Sequence, residues 1–144
     1  MRTASLGLAA VCAAAAAAAA APTRAAAAPS GGSLCSVARG VAADIVHSTS
    51  FASNRVTPTK LRIVYTKVVA AEPALRSAAS GGIKADLTPV LGWINVLVGD
   101  LKKAGWQTSR MLPYYHSLAT GAERITPQIT ALRTYFRSTC KLPV

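Results

Sequence analysis

Apolar residues recur at steps of three and four along most of the chain after residue 30, and this spacing is the strongest constraint on its fold. The clearest run puts seven side chains on one helical face: Leu87, Val90, Leu91, Ile94, Leu97, Val98 and Leu101. Such a stripe is typical of an amphipathic helix. Similar runs cover residues 33–51, 57–75 and 125–140, and no alternating β-branched run bounded by hairpin turns separates them. The sequence therefore predicts an all-α protein.

Residues 1–28 have the layout of an alanine-rich, cleaved signal peptide. Arg2 supplies a positive charge, an apolar stretch follows, and small residues precede two candidate cleavage sites, before Ala21 or before Ala28. A retained membrane anchor is the alternative, but alanine is only weakly apolar and a bilayer span needs about 20 strongly apolar residues. We therefore expect a secreted or extracytoplasmic protein with a single domain at residues 29–144 and no stable transmembrane segment after processing.

Two cysteines, Cys35 and Cys140, lie in the expected mature chain. An even number of cysteines in an exported protein predicts a disulfide, which here would join the beginning of the domain to its end. Because the bond uses both sulfurs, it argues against a cysteine nucleophile and against a thiolate metal site.

Three Thr-Pro pairs are predicted to begin helices, because threonine is a good N-cap and proline is well accommodated at the first helical position. The pairs are Thr57-Pro58, Thr88-Pro89 and Thr126-Pro127. Helix ends are predicted at Gly81-Gly82, at Gly105 and at Gly121. Pro73 is expected to kink or divide the helix that contains it.

The expected disulfide limits the topology. In an up-and-down bundle the two chain ends meet only after an even number of passes, whereas the pattern contains five helical segments. We therefore interpret Ser109–Thr120 as a short extra helix. The predicted fold is an up-and-down four-helix bundle with this extra helix and a disulfide between its N- and C-terminal ends.

The charge balance indicates an anionic partner. The chain has 16 basic and 5 acidic residues, and loss of Arg2 and Arg24 with the signal peptide leaves a net charge of +9. Such a surface attracts anionic lipid headgroups, phosphate-bearing wall polymers or nucleic acid. Nucleic acid is disfavoured, since the protein is expected to be exported and no known binding signature is present. The alternative is that the charge only keeps the protein soluble.

A candidate anion-binding surface lies on the last predicted helix, where Arg133, Arg137 and Lys141 recur at steps of four. Cations at this spacing share one helical face and can bind phosphate or carboxylate. The alternative is a hydrated face, stabilised by the negative end of the helix dipole.

A second candidate site is formed by Tyr114, Tyr115 and His116, since tyrosine and histidine can both coordinate haem iron. In the structural alternative, Tyr115 belongs to the core stripe with Met111 and Leu118, and its two neighbours flank it. Haem is therefore the cofactor expected in the alternative interpretation, whereas the leading interpretation includes no cofactor.

Enzyme motifs are absent from the sequence, and the five acidic residues lie on separate segments. Asp44 and His47 are close enough to meet on one helix, but we interpret them as a solvated pair. Trp93 and Trp106 are expected to pack in the core or at its edge.

Two segments at the ends of the domain carry a family resemblance. "CSVARGVAADIV" and "TYFRSTCKLPV" resemble small, exported, disulfide-linked all-helical actinobacterial proteins of unassigned function. They are also similar to mycobacterial haemophore-like proteins, which implies haem binding outside the membrane. The resemblance covers about 20 residues. It identifies no haem-binding residue, because the His-Pro element associated with the haemophore-like proteins is missing: neither His47 nor His116 precedes a proline.

The sequence thus predicts an exported, non-enzymatic helical bundle that is a binding or envelope-associated protein and contacts an anionic partner. The alternative is an extracellular carrier of haem or another apolar ligand.

Overall fold

The computed structural model describes residues 31–50 and 56–144, and all of the regular secondary structure in these ranges is helical. The α-helices are α1 (Gly31–Ala38), α2 (Ala42–Val46), α3 (Pro58–Ala78), α4 (Gly81–Lys103) and α5 (Tyr115–Ser138). Short 3-10 turns occupy Ser48–Ser50, Thr108–Arg110 and Leu112–Tyr114. The expected signal peptide, residues 1–28, lies outside the described residues.

Three long helices form the body of the molecule. α4 packs along both α3 and α5, α1 packs against α3, and α2 contacts all three long helices. Their apolar stripes meet in one core, whose largest fully buried side chains include Ile45, Val68, Leu75, Leu91, Leu97, Leu132 and Phe136. The all-α class is confirmed. The four-helix bundle is not, because the described chain has five helices and the first two are short.

The disulfide between Cys35 and Cys140 is present, with an S–S distance of 2.02 Å and a Cα–Cα distance of 5.1 Å. It joins α1 to the segment that follows α5. This segment folds back onto the helix, where the Leu142 amide donates to the Phe136 carbonyl over 2.9 Å. Leu142 and Val144 are buried, so the disulfide and the apolar contacts hold the same end of the bundle together.

The first predicted helix is interrupted. Instead of one helix over residues 33–51, α1 ends at Ala38 and α2 begins at Ala42. A turn joins them, in which the Val41 amide donates to the Ala38 carbonyl over 2.8 Å. Gly40 lies in this turn, and glycine weakens helix continuation because of its large conformational entropy. The apolar face continues across this turn, since Val41 and Ile45 are both buried.

One of the three Thr-Pro pairs begins a helix. Thr57 has extended backbone angles, and its hydroxyl accepts a hydrogen bond of 3.3 Å from the Lys60 amide, three residues on. Pro58 is the first residue of α3. This is the expected N-cap arrangement, because the hydroxyl satisfies an amide that has no partner within the helix.

The other two pairs do not begin helices, and those predictions were wrong. Pro89 lies inside α4, and Pro127 lies inside α5. Their threonines donate backwards instead: the Thr88 hydroxyl bonds to the Lys84 carbonyl over 2.7 Å, and the Thr126 hydroxyl to the Ala122 carbonyl over 3.0 Å.

Burial on both sides of each proline explains this outcome. Leu87, just before the Thr88-Pro89 pair, is buried in the same core as Val90, just after it. A continuous helix keeps this stripe together. It costs about 3 kcal/mol or more at an interior proline, and the burial of several large side chains, each worth about 1.5–3 kcal/mol, offsets that cost.

Of two further predicted breaks, the one at Pro73 is absent and the one at Gly81-Gly82 is present. Pro73 does not divide α3, which continues to Ala78. α3 ends at Ala78 and α4 begins at Gly81, so the helix end predicted at this pair occurs just before it, and the two glycines form the first turn of α4. The Val69 carbonyl loses its usual helical partner at Pro73, because proline has no N–H.

Gly105 does end α4, as predicted. It adopts a left-handed φ of 63°, and its amide donates to the Lys102 carbonyl over 3.1 Å. The next amide, of Trp106, donates to the Leu101 carbonyl over 2.7 Å. These two bonds form a Schellman motif, which satisfies the last carbonyls of the helix.

Gly121 does not end a helix, because it lies inside α5 at the contact with α4. A Cβ atom there would come within 2.6 Å of Trp93 Cδ1 and 2.7 Å of Trp93 Nε1. The indole N–H of Trp93 donates to the Leu118 carbonyl over 3.2 Å. The Trp93 indole therefore occupies the space that a side chain at position 121 would need. Because Gly121 has no side chain, α5 can approach α4 closely.

The predicted short helix at Ser109–Thr120 is replaced by two 3-10 turns and the first turns of α5. No separate crossing helix exists in this part of the described chain. The connection between α4 and α5 is instead a series of tight turns at one end of the bundle.

Replacement of Gly121 by alanine is expected to destabilise the protein by about 1–3 kcal/mol, because the added methyl group overpacks the indole of Trp93. Gly92→Ala is the matched control. It also lies inside a helix, but nothing is within 4 Å of an added Cβ. That variant should gain about 0.5–1 kcal/mol. Urea denaturation checks both changes, and equal unfolding free energies for the two variants would contradict the packing described.

Removal of the disulfide by the double substitution Cys35→Ser and Cys140→Ser should lower the free energy of unfolding by about 4–5 kcal/mol in the chain-entropy model, since the sequence separation is 105 residues. The measurement is the urea midpoint of the variant beside that of the oxidised protein. An unchanged midpoint would show that apolar packing alone holds the two ends.

Candidate functional site

Two of the three predicted anion-binding residues lie side by side on α5. Arg133 is half-buried and Arg137, one turn later, is exposed. Within the described ranges, ion pairs join Glu72 to Arg76 and Asp100 to Lys103, but none involves this arginine pair. Residues 124–144 contain no acidic side chain, so no acidic side chain on this segment compensates the positive charge at this end of α5.

Lys141 does not continue the stripe. α5 ends at Ser138, and Lys141 lies three residues later with a left-handed φ of 53°. The step of four residues from Arg137 therefore no longer corresponds to one helical turn. Lys141 remains exposed, but it belongs to the folded-back segment beside the disulfide.

Arg137 also has a structural role. Its Nε donates a hydrogen bond to the main-chain oxygen of Val144 and so fastens the folded-back segment to α5. Arginine has several N–H donors in a planar group, and this bond occupies one of them. The guanidinium is thereby held in a fixed position, which lowers the entropy cost of binding an anion.

The three residues of the Tyr114–His116 cluster differ in exposure. Tyr114 is half-buried, whereas Tyr115 and His116 are exposed at the first turn of α5. The Nζ of Lys103 lies 5.5 Å from the centre of the Tyr114 ring, a cation–π contact. Tyr114 therefore packs against a lysine, whereas Tyr115 and His116 face solvent.

The interpretation of Tyr115 as a core residue was wrong. Tyr115 is 56% exposed, while Met111 and Leu118 are buried. The prediction assumed one helix through all three positions, but Met111 precedes a 3-10 turn and α5 begins only at Tyr115. Because the chain changes from a 3-10 turn to an α-helix at this point, Met111 and Tyr115 do not lie on the same helical face.

A polar cluster lies where α2 approaches α3. The hydroxyl of the buried Tyr65 donates to the Ser48 carbonyl over 3.3 Å. Burial raises the pKa of Tyr65, and the nearby carboxylate of Asp44 raises it further. Burial also raises the pKa of Asp44, although Lys67, His47 and Lys60 act in the opposite direction. Burial therefore outweighs three neighbouring basic groups at this carboxyl.

Two surface depressions are lined by described residues. One follows the outer face of α3, with Arg62, Ile63, Thr66, Lys67 and Ala70 around it. The other lies where the start of α3 meets the end of α4, lined by Pro58, Thr59, Arg62, Gly105 and Trp106. Neither contains Tyr114, Tyr115 or His116.

A second surface, which sequence reasoning missed, lies at the end of the bundle that carries the α4–α5 connection. We call it the tip and define it as residues 102–116 together with Arg62. Leu112 is 82% exposed there, beside the exposed Tyr115. Its sequence signal is a stretch free of acidic residues from 101 to 122 that contains Leu112 and the tyrosine pair.

Over residues 31–50 and 56–144, no group of three or more histidine, cysteine, aspartate or glutamate side chains is arranged to hold a metal ion. Over the same ranges, none of the helices combines the length and hydropathy that a bilayer span requires.

No protein-family model, curated protein or solved structure matches the chain. The resemblance at the two ends of the domain therefore stays a hypothesis.

Asp44→Asn is expected to stabilise the protein at neutral pH. Because burial raises the pKa of Asp44 in the folded state, the ionised carboxylate lowers stability above that folded-state pKa. This effect disappears as pH falls through the folded-state pKa to the ordinary aspartate value. Urea midpoints of the variant and the parent should therefore differ at pH 7 and coincide at low pH. A variant less stable than the parent at pH 7 would contradict this assignment.

Proposed function

We propose that the protein is an exported, non-enzymatic binding protein of the cell envelope that holds an anionic partner. The observation that carries the proposal is the pair Arg133 and Arg137 on α5, in a segment without acidic residues.

The physical argument starts from the repulsion within the pair. Cations four residues apart on a helix repel each other by a few tenths of a kcal/mol. A bound phosphate or carboxylate removes that repulsion and gains charge-assisted hydrogen bonds. Lys141, on the adjacent folded-back segment, adds a third charge to the same end of the molecule.

Export is supported by the disulfide. Disulfides persist in oxidising compartments, so a bond between Cys35 and Cys140 is compatible with a protein that works outside the cytoplasm. The signal-peptide layout of residues 1–28 supports the same location.

A non-enzymatic role is supported by where the acidic residues lie. Glu72 is paired with Arg76 and also accepts a 2.8 Å hydrogen bond from Asn95, so it links α3 to α4. Asp100 is buried and paired with Lys103. These carboxylates thus have structural partners, and they lie on different helices from Asp44 and Glu123.

The test uses soluble polyphosphate, which presents phosphate without a bilayer. The double variant Arg133→Glu, Arg137→Glu should bind at least about 30-fold more weakly than the parent, since each cation near an anionic surface contributes about 1 kcal/mol. Parent binding should also weaken as salt rises from low to moderate concentration, because surface charges are screened.

The matched control is Arg39→Glu with Lys84→Glu, which changes the net charge equally at two exposed positions outside α5. This variant should keep most of the parent affinity. If it loses as much as the α5 variant, net charge alone explains binding and the proposed surface is wrong. Salt-independent binding by the parent would count against an electrostatic partner altogether.

A further inference from the structure

The tip exposes two large apolar side chains next to each other. Among the described residues, the large hydrophobic side chains that are most exposed are Leu112, Ile63, Val96 and Tyr115, with Leu112 at 82%. Leu112 and Tyr115 are three residues apart across a 3-10 turn, in which the Tyr115 amide donates to the Leu112 carbonyl. Residues at this spacing in a 3-10 turn lie on the same side, so the two side chains form one apolar projection.

The projection stands on a rigid base. Met111, immediately before Leu112, is buried in the core. Its amide donates to the Thr108 carbonyl over 3.0 Å, and its carbonyl accepts from the Tyr114 amide over 2.9 Å. Because the chain is anchored on one side of Leu112 and bonded into α5 on the other, the leucine stays in solvent instead of folding inward.

Exposed cations lie in the same part of the chain as this projection. Lys102 and Arg110 are exposed within the tip. Asp100 is the one acidic residue between positions 100 and 122, and it is buried and bonded to Lys103 over 3.0 Å. Arg62 reaches the same end from α3, where it lines a depression with Trp106. The tip therefore combines an apolar projection with exposed basic side chains.

Aromatic side chains complete the pattern. Trp106 and Tyr114 are half-buried and pack against the core, beside the exposed Tyr115. Tryptophan and tyrosine favour the boundary between a hydrocarbon phase and water, because each has an apolar ring with a polar group.

We propose that the tip docks on an anionic lipid bilayer, with Leu112 and Tyr115 inserted into the interfacial region and Lys102, Arg110 and Arg62 facing the headgroups. A bilayer supplies both requirements of the tip at once: an apolar phase for the leucine and negative charge for the cations. A soluble phosphate polymer satisfies only the cations. This inference uses a different surface from the Arg133–Arg137 pair, so the two proposals can fail independently.

The experiment measures partitioning of the mature protein onto vesicles of phosphatidylcholine containing 30% phosphatidylglycerol, by co-sedimentation. Leu112→Ser with Tyr115→Ser keeps the charge and should weaken partitioning on the order of tenfold, because apolar contact with the bilayer is lost. Lys102→Gln with Arg110→Gln should weaken it by about fivefold per cation. Vesicles of phosphatidylcholine alone should bind the parent much more weakly.

The matched control is Val96→Ser. Val96 is 57% exposed on α4, away from the tip, and its loss should leave partitioning unchanged. The substituted side chains of the tip and the Val96 control are exposed, and circular dichroism verifies that all the variants are folded. If the Leu112 and Tyr115 variant binds like the parent while Arg133→Glu with Arg137→Glu abolishes vesicle binding, the tip is not the docking surface.

A second readout separates insertion from adsorption. Lipids brominated on the acyl chains quench tryptophans close to the hydrocarbon, and Trp106 lies in the tip whereas Trp93 is buried between α4 and α5. Parent fluorescence should be partly quenched on anionic brominated vesicles. Quenching should decline in the Leu112→Ser, Tyr115→Ser variant at equal bound protein. Binding without any quenching of the parent would overturn the inference.

Discussion

The apolar stripe of α4 is the constraint on which the rest of the structure depends. It runs from Leu87 to Leu101 without a break, so the helix continues through Pro89 despite the lost hydrogen bond. α3 packs on one side of α4, and α5 packs on another, where the Trp93 indole fits over Gly121. The positions of α3 and α5 then determine both ends of the molecule: the disulfide with the folded-back segment at one end, and the tip at the other.

Much of the fold could be predicted from apolar spacing, because a side chain's place in a helical stripe depends on near neighbours. Leu87, Ile94 and Leu101 were all assigned to one apolar face in this way, and all are buried. Helix boundaries were predicted less well, because a capping signal is local and its outcome depends on what surrounds it. Thr57 caps a helix, whereas Thr88 has the same neighbour but lies within a continuous stripe, where burial outweighs the proline. The role of Gly121 could not be predicted, since it depends on an indole 28 positions earlier in the sequence.

The candidate sites show the same contrast between features that depend on near neighbours in the sequence and features that depend on tertiary contacts. Arg133 and Arg137 were placed together correctly because both lie within one helix. Lys141 was misplaced because α5 ends at Ser138, three residues before it. The tip was missed because Tyr115 was assigned to a helical face that begins only at that residue. Exposure of Leu112 follows from the anchoring of Met111 inside the core, and this tertiary contact has no signature in the local sequence.

The two proposed surfaces lie far enough apart to act separately. Tyr115 and Arg137 are 22 residues apart on α5, and at about 1.5 Å per residue the distance along the helix is about 33 Å. The Debye length at physiological salt is about 8 Å, so a charge change at one end hardly alters the potential at the other. The apolar tip and the arginine pair differ in chemistry as well as position: the tip needs a hydrocarbon phase, whereas the arginine pair needs only an anion. A partner that engages one end therefore leaves the other accessible, because a rigid helix about four Debye lengths long separates them.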